Sequence, residues 1–145
     1  MELEYSKDLE LLLEMLKQIR TAGTQLQDWN KDVDSVYDLM KSELGMQRLA
    51  GNCMLIQVIG EGVNKIEKMT EGKFLILRPE IPWKKVVGMR NRISHGYFDL
   101  DAGYIENILK EDLSPLMEAI DALIENVERM IIEKVVDDHC AEQYE

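Results

Sequence analysis

Residues 81–99 read Ile81-Pro-Trp-Lys-Lys-Val-Val-Gly-Met-Arg-Asn-Arg-Ile-Ser-His-Gly-Tyr-Phe-Asp99, and how this stretch folds decides the reading of the rest. Pro82 suits the first turn of a helix, where a missing N–H costs nothing, and Gly96 suits the position just past the end. The pattern therefore predicts a helix from Pro82 to about His95. At about 100° per residue, with Trp83 at zero, Val86 falls near 300°, Val87 near 40° and Arg90 near 340°, so the arginine lies inside the apolar stripe. A guanidinium there needs a partner, because an unpaired buried charge costs on the order of several kcal/mol.

Two readings of that arginine stand side by side. In the plainer one, Arg90 forms a structural ion pair, with Glu61 of the preceding long helix as the natural partner, and His95 is a C-terminal cation favoured by the helix dipole. In the other, the same side chains do chemistry: an imidazole titrates near neutral pH and can move a proton, and a guanidinium can hold an anion. Arg90 and His95 are five residues apart, about 140° around the axis, so one straight helix does not aim both at one point. Asn91 and His95, four apart, share a face.

Upstream, residues 43–69 predict the most apolar helix, since between Leu49 and Ile59 only Asn52 and Gln57 interrupt small or hydrophobic residues. Gly51, Gly60 and Gly62 each cost about 1 kcal/mol in a helix relative to Ala, which close approach of another backbone would explain. Earlier still, Leu9, Leu12, Leu13, Leu16 and Ile19 recur at helical spacing behind Ser6 as N-cap, predicting a helix over 7–22 that loosens at Gly23 and Thr24. Residues 28–34 read as a loop before a short helix over 35–41, and 70–80 as a connector. Downstream, Asp101 can cap a further helix running through Ala119 to Val136, with a kink at Ser114-Pro115. No period-two pattern competes, so the fold class is all-α, with four or five helices.

The chain's 145 residues suit one domain, which buries roughly 68–70% of its unfolded surface at this size. Residues 1–136 form the expected helical domain and 137–145 an acidic polar tail. The formal net charge of −11 argues against indiscriminate nucleic-acid binding. The charge is uneven, however: residues 73–95 carry six basic and one acidic side chain, residues 96–145 three and fourteen. With only Cys53 and Cys140, no disulfide framework and no spaced metal set is expected, and a reducing cytoplasm is the natural home. The start lacks the basic region of a signal peptide, and no apolar run reaches the roughly 18–20 residues that cross a bilayer, so no membrane partner is expected.

The run over 81–99, together with Ile59-Gly-Glu61, closely resembles the HepT-like branch of the HEPN superfamily. The resemblance rests on Pro-Trp, Gly-Met-Arg-Asn and His-x-Tyr at fixed offsets and extends over residues 43–120, with the first helix agreeing in general character. It implies an up-and-down bundle that works as a homodimer, its function that of a metal-independent endoribonuclease toxin with no cofactor. Arg90 and His95 occupy the positions of that family's catalytic Arg-x4-His pair, duplicated across a shared cleft by the twofold axis. The implied reaction is attack of an RNA 2′-hydroxyl on the adjacent phosphate, His95 shuttling the proton and Arg90 stabilising phosphoryl charge. Asn91 would orient His95 or the phosphate, and Arg92, with Lys84 and Lys85, would hold the RNA backbone.

The same resemblance makes Tyr97 the acceptor of AMP groups from a cognate minimal nucleotidyltransferase antitoxin, adding bulk and negative charge beside Arg90 and His95. Some relatives are non-catalytic substrate- or nucleotide-binding partner subunits of such nucleotidyltransferases, the alternative reading here. Other candidates are weaker. His139 and Cys140 are adjacent without a second ligand pair. Glu118, Asp121, Glu125 and Glu128 have the spacing of a solvent face, and the nine methionines that of core packing.

Overall fold

The computed structural model describes residues 6–93 and 101–143, with side chains from Asp8 onward, and no strand occurs among them. Four long helices, α1 (Ser6–Asn30), α3 (Glu43–Met69), α4 (Trp83–Ile93) and α6 (Leu113–Gln143), are joined through two short ones, α2 (Val36–Leu39) and α5 (Ala102–Asn107). Ile19 meets Gly62 while Trp29 meets Gly51, so α1 and α3 run antiparallel. Arg20 pairs with Asp121 while Gly23 meets Met117, so α1 and α6 do too. On its other side α3 packs against α4. The result is an all-helical bundle, as expected.

The core follows from spacing. Leu12, Leu16, Ile19 and Leu26 from α1, Leu49, Ile56, Ile59 and Ile66 from α3, and Ile120 and Leu123 from α6 are fully buried. Each such side chain contributes about 1.5–3 kcal/mol of transfer free energy. One polar pair crosses this interior: Asn52, fully buried, and Asn30 exchange reciprocal amide hydrogen bonds of 2.9 Å. The Asn30 amide also donates to the Leu26 carbonyl at 2.8 Å, closing the end of α1.

Two helix ends, one kink and the role of two glycines differ from the sequence expectation. The first helix does not loosen at Gly23 but continues to Asn30; the glycine is there because a Cβ would collide with the Met117 side chain of α6. Gly51 and Gly62 make room for side chains, the Trp29 ring and Ile19, and only Gly60 admits another backbone. The kink expected at Ser114-Pro115 is taken up one turn earlier, as a π turn over Ile108–Asp112. Pro115 has no N–H for the Glu111 carbonyl and its ring crowds that carbonyl, and a widened turn relieves both problems. Finally, α6 passes Val136 and runs to Gln143, with residues 135–143 all exposed. No helix among the described residues is long and apolar enough to cross a membrane.

Candidate active site

The helix that carries the arginines is fixed at its start. The Pro82 carbonyl accepts from the Lys85 and Val86 amides at 2.9 and 3.2 Å. The Trp83 indole N–H donates to the Arg78 carbonyl at 2.9 Å. Trp83, Val86, Met89 and Ile93 are buried and set the rotation of α4. That rotation brings Arg90 to the α3 seam, where Gly60 lets the two backbones close: a Cβ at position 60 would lie 3.1 Å from the Arg90 Cβ and 3.2 Å from the Val86 carbonyl oxygen.

From this seam the Arg90 Nη1 donates to the Glu61 Oε1 at 3.0 Å. The ion pair expected by the plainer reading is thus present. The arginine side chain is 28% exposed and the glutamate 49%, so the pair sits at the surface with the guanidinium the deeper partner. The Arg90 Nε is buried without a hydrogen-bond partner among the described residues, leaving one donor unspent at a site where an unmet donor is costly.

Arg92 does not join Arg90. Two residues on, it points to the opposite side of α4, where its Nη2 donates to the Asp101 Oδ2 at 3.0 Å and its guanidinium lies 3.9 Å from the Tyr104 ring centroid. Asp101 is also the cap expected for α5, its Oδ1 accepting from the Tyr104 amide at 3.0 Å. That backbone hydrogen bond, and then the one from Arg92, hold the Asp101 carboxyl below the usual carboxylate range. Burial raises the Tyr104 phenol, against the opposing pull of Arg92. Asn91 is exposed beside Arg90. His95, Gly96 and Tyr97 lie outside the described residues.

The basic segment is consequently less basic than its composition. Arg78 pairs with Glu80 at 2.7 Å, Arg90 with Glu61 and Arg92 with Asp101, each at 3.0 Å, while Lys73, Lys84 and Lys85 are exposed. The Arg92 pairing escaped sequence analysis because a nine-residue separation across a helix end has no periodic signature. The one signal available was Asp101 as a cap, which places a carboxylate near the end of α4.

Beyond this seam, a cavity of about 650 Å³ lies between α4 and the π turn, with Ile56 and Ile59 among its lining residues and Lys85, Arg92 and Tyr104 among its polar ones. Cys53 is buried, which pushes its thiol up to about 11 and leaves it unreactive. His139 and Cys140 sit on the exposed last turns of α6, and no three metal-ligating side chains cluster among the described residues. Glu118, Asp121, Glu125 and Glu128 form an exposed face of α6. Met89 and Met117 are buried, but Met40 and Met54 are exposed, so core packing does not account for all the methionines.

Comparison with known proteins gives the family of the chain. The family described as ribonuclease HepT-like matches residues 7–123, from the first helix into the last. A Methanocaldococcus jannaschii protein named as a candidate RNase is 33% identical over 66 residues, 46% of this chain and 57% of the relative. Another from the same organism, similarly named, is 28% identical over 101 residues, 70% of this chain and 80% of the relative. A Thermococcus cleftensis protein named as a probable ribonuclease HepT is 32% identical over 68 residues, 47% and 58% of the two chains. The matched region thus spans little more than half the length of several of these relatives. No solved structure matches. With the family's match extending over most of its length, this chain belongs to the HepT-like ribonuclease family.

Proposed function

We propose that the protein is a metal-independent endoribonuclease toxin of a toxin–antitoxin pair, acting as a homodimer, with Arg90 and His95 as its catalytic residues. The observation that carries this reading is the position of Arg90, held at the α3–α4 seam by backbone contact with Gly60 and still partly exposed. Membership of a ribonuclease family supports RNA as the substrate class. Arg90 stabilises charge on the phosphoryl oxygens during attack by the 2′-hydroxyl, and His95 moves the proton. Asn91 orients the histidine or the phosphate. Arg92, paired with Asp101, supports the site by tying the end of α4 to the start of α5, and Lys84 and Lys85 provide the exposed positive charge for the RNA backbone.

The dimer is supported by the α3 surface. Met54 and Val58 are 67% and 41% exposed and lie on the face that continues to Glu61. A second copy seated on that strip brings its own Arg90 towards the first across a twofold axis. Cleavage of RNA in chelator by the parent, lost by at least about 100-fold in Arg90→Ala and His95→Ala, is the expected result. Undiminished cleavage by either variant overturns the assignment. Neutralisation acts through AMP transfer to Tyr97 by a cognate nucleotidyltransferase antitoxin, tested by added mass on the peptide containing Tyr97 after incubation with that enzyme and ATP.

The Arg90–Glu61 pair specifically favours a second reading, in which the arginine is structural and the protein is a non-catalytic substrate- or nucleotide-binding subunit of a minimal nucleotidyltransferase. Expression of the chain alone separates the two: a nuclease arrests growth and degrades RNA, a binding subunit does neither.

A further inference from the structure

Resting on the assignment of Arg90 to RNA phosphate, we propose that Glu61 sets how tightly RNA is held, its carboxylate occupying in the resting protein the Arg90 nitrogen for which an incoming phosphate competes. The contact is a single 3.0 Å bond from Nη1, made by the more exposed of the two side chains. The Arg90 backbone packs against Gly60 and its side chain is the deeper of the two, so the more exposed glutamate is the freer partner. It has somewhere to go. The glutamate side chain is half-exposed and lines a shallow surface groove, so its carboxylate can turn out into water. Phosphate binding therefore exchanges one carboxylate partner of Arg90 for another anion. A resting ion pair neutralises the guanidinium and places negative charge where the polyanion must arrive.

This differs from a purely structural ion pair in what it predicts for salt dependence. An arginine that neutralises a phosphate releases counterions, with log affinity falling against log salt by about 0.7 per contact for a single strand. When Glu61 is displaced in the same step it gathers a counterion of its own, and that contribution cancels. Glu61→Gln keeps an amide oxygen to accept from Nη1 and removes only the charge. With a fluorescent 2′-O-methylated RNA oligonucleotide, which lacks the attacking hydroxyl, Glu61→Gln is expected to bind about 3- to 10-fold tighter than the parent at low salt. Its salt slope is expected to steepen by up to about 0.7. Glu61→Asp, which keeps the charge, is expected to stay near the parent in both, and equal melting temperatures of the three proteins exclude a folding effect. If the parent binds, Arg90→Ala weakens binding and Glu61→Gln matches the parent in affinity and slope, the role of Glu61 is overturned while that of Arg90 stands. If neither the parent nor Glu61→Gln holds the oligonucleotide, the assignment of Arg90 to phosphate fails, and the role of Glu61 with it.

Discussion

Gly60 of α3 and Arg90 of α4 meet backbone to backbone: a Cβ on the glycine would stand 3.1 Å from the Arg90 Cβ and 3.2 Å from its amide nitrogen. Neither atom is the far end of a flexible side chain, so the neighbour can give way only if α4 moves. Gly60→Ala gains up to about 1 kcal/mol of helix propensity but meets an overpacking cost of about 1–3 kcal/mol, and is expected to be destabilising on balance. Gly88, on the same helix as Arg90, is the control, because a Cβ there meets nothing within 4 Å. Gly88→Ala is expected to stabilise by about 0.4–1 kcal/mol. Urea denaturation of the two variants checks the opposite signs, and RNA cleavage should fall in Gly60→Ala alone, since only that change displaces the Arg90 backbone.

The reciprocal amide pair of Asn30 and Asn52 fastens α1 to the centre of α3. Replacing Asn52 by Ala removes both bonds, empties a fully buried position and leaves the Asn30 Oδ1 without its donor, while the Asn30 bond to Leu26 survives. A loss of about 1–3 kcal/mol follows from the unmet polar group. At about 2–4 °C per kcal/mol for a domain of this size, a thermal melt should register it.

How much of this was legible beforehand depends on how local each signal was. The 43–69 helix was read to the residue, because between Leu49 and Ile59 only Asn52 and Gln57 interrupt small or hydrophobic residues; its cap, Ser42 accepting from the Gly45 amide, is added by the structure. The Arg90–Glu61 pair was legible because a charge inside an apolar stripe demands a partner on the neighbouring helix. The run of α1 past Gly23 was not, since the reason for that glycine is Met117 on a helix nearly a hundred residues away. Nor was the side taken by Arg92. Its partners Asp101 and Tyr104 are the cap and a residue of the following helix, whereas the family resemblance assigns it to the RNA backbone.

Asp101 carries a pH signature of its own. Its folded-state pKa lies below the unfolded value, through the Tyr104 amide and Arg92, so it contributes stability that is fully present above the unfolded carboxylate range near 4 and is lost as pH falls through the depressed value. Asp101→Asn retains a good helix cap but drops the charge. The stability gap between parent and Asp101→Asn should therefore be widest from about pH 5 upward and close in acid, as read from urea midpoints over a pH series. A gap that stays constant with pH would mean the carboxylate charge contributes nothing there.

Val58 tests the dimer without touching the core. It is 41% exposed and precedes Glu61 by one turn on the face that also carries Met54, so Val58→Glu leaves the packing of a single subunit intact. A carboxylate placed on both sides of a twofold contact meets its own copy, and like charges across an interface cost several kcal/mol. Val58→Glu is therefore expected to shift the protein to monomer in sedimentation equilibrium with its helical circular dichroism unchanged. RNA cleavage should fall with the dimer fraction, because each monomer retains Arg90 and His95 but has no second copy to complete the cleft. Full activity in a protein shown to be monomeric would place the reaction within one subunit and refute the shared site.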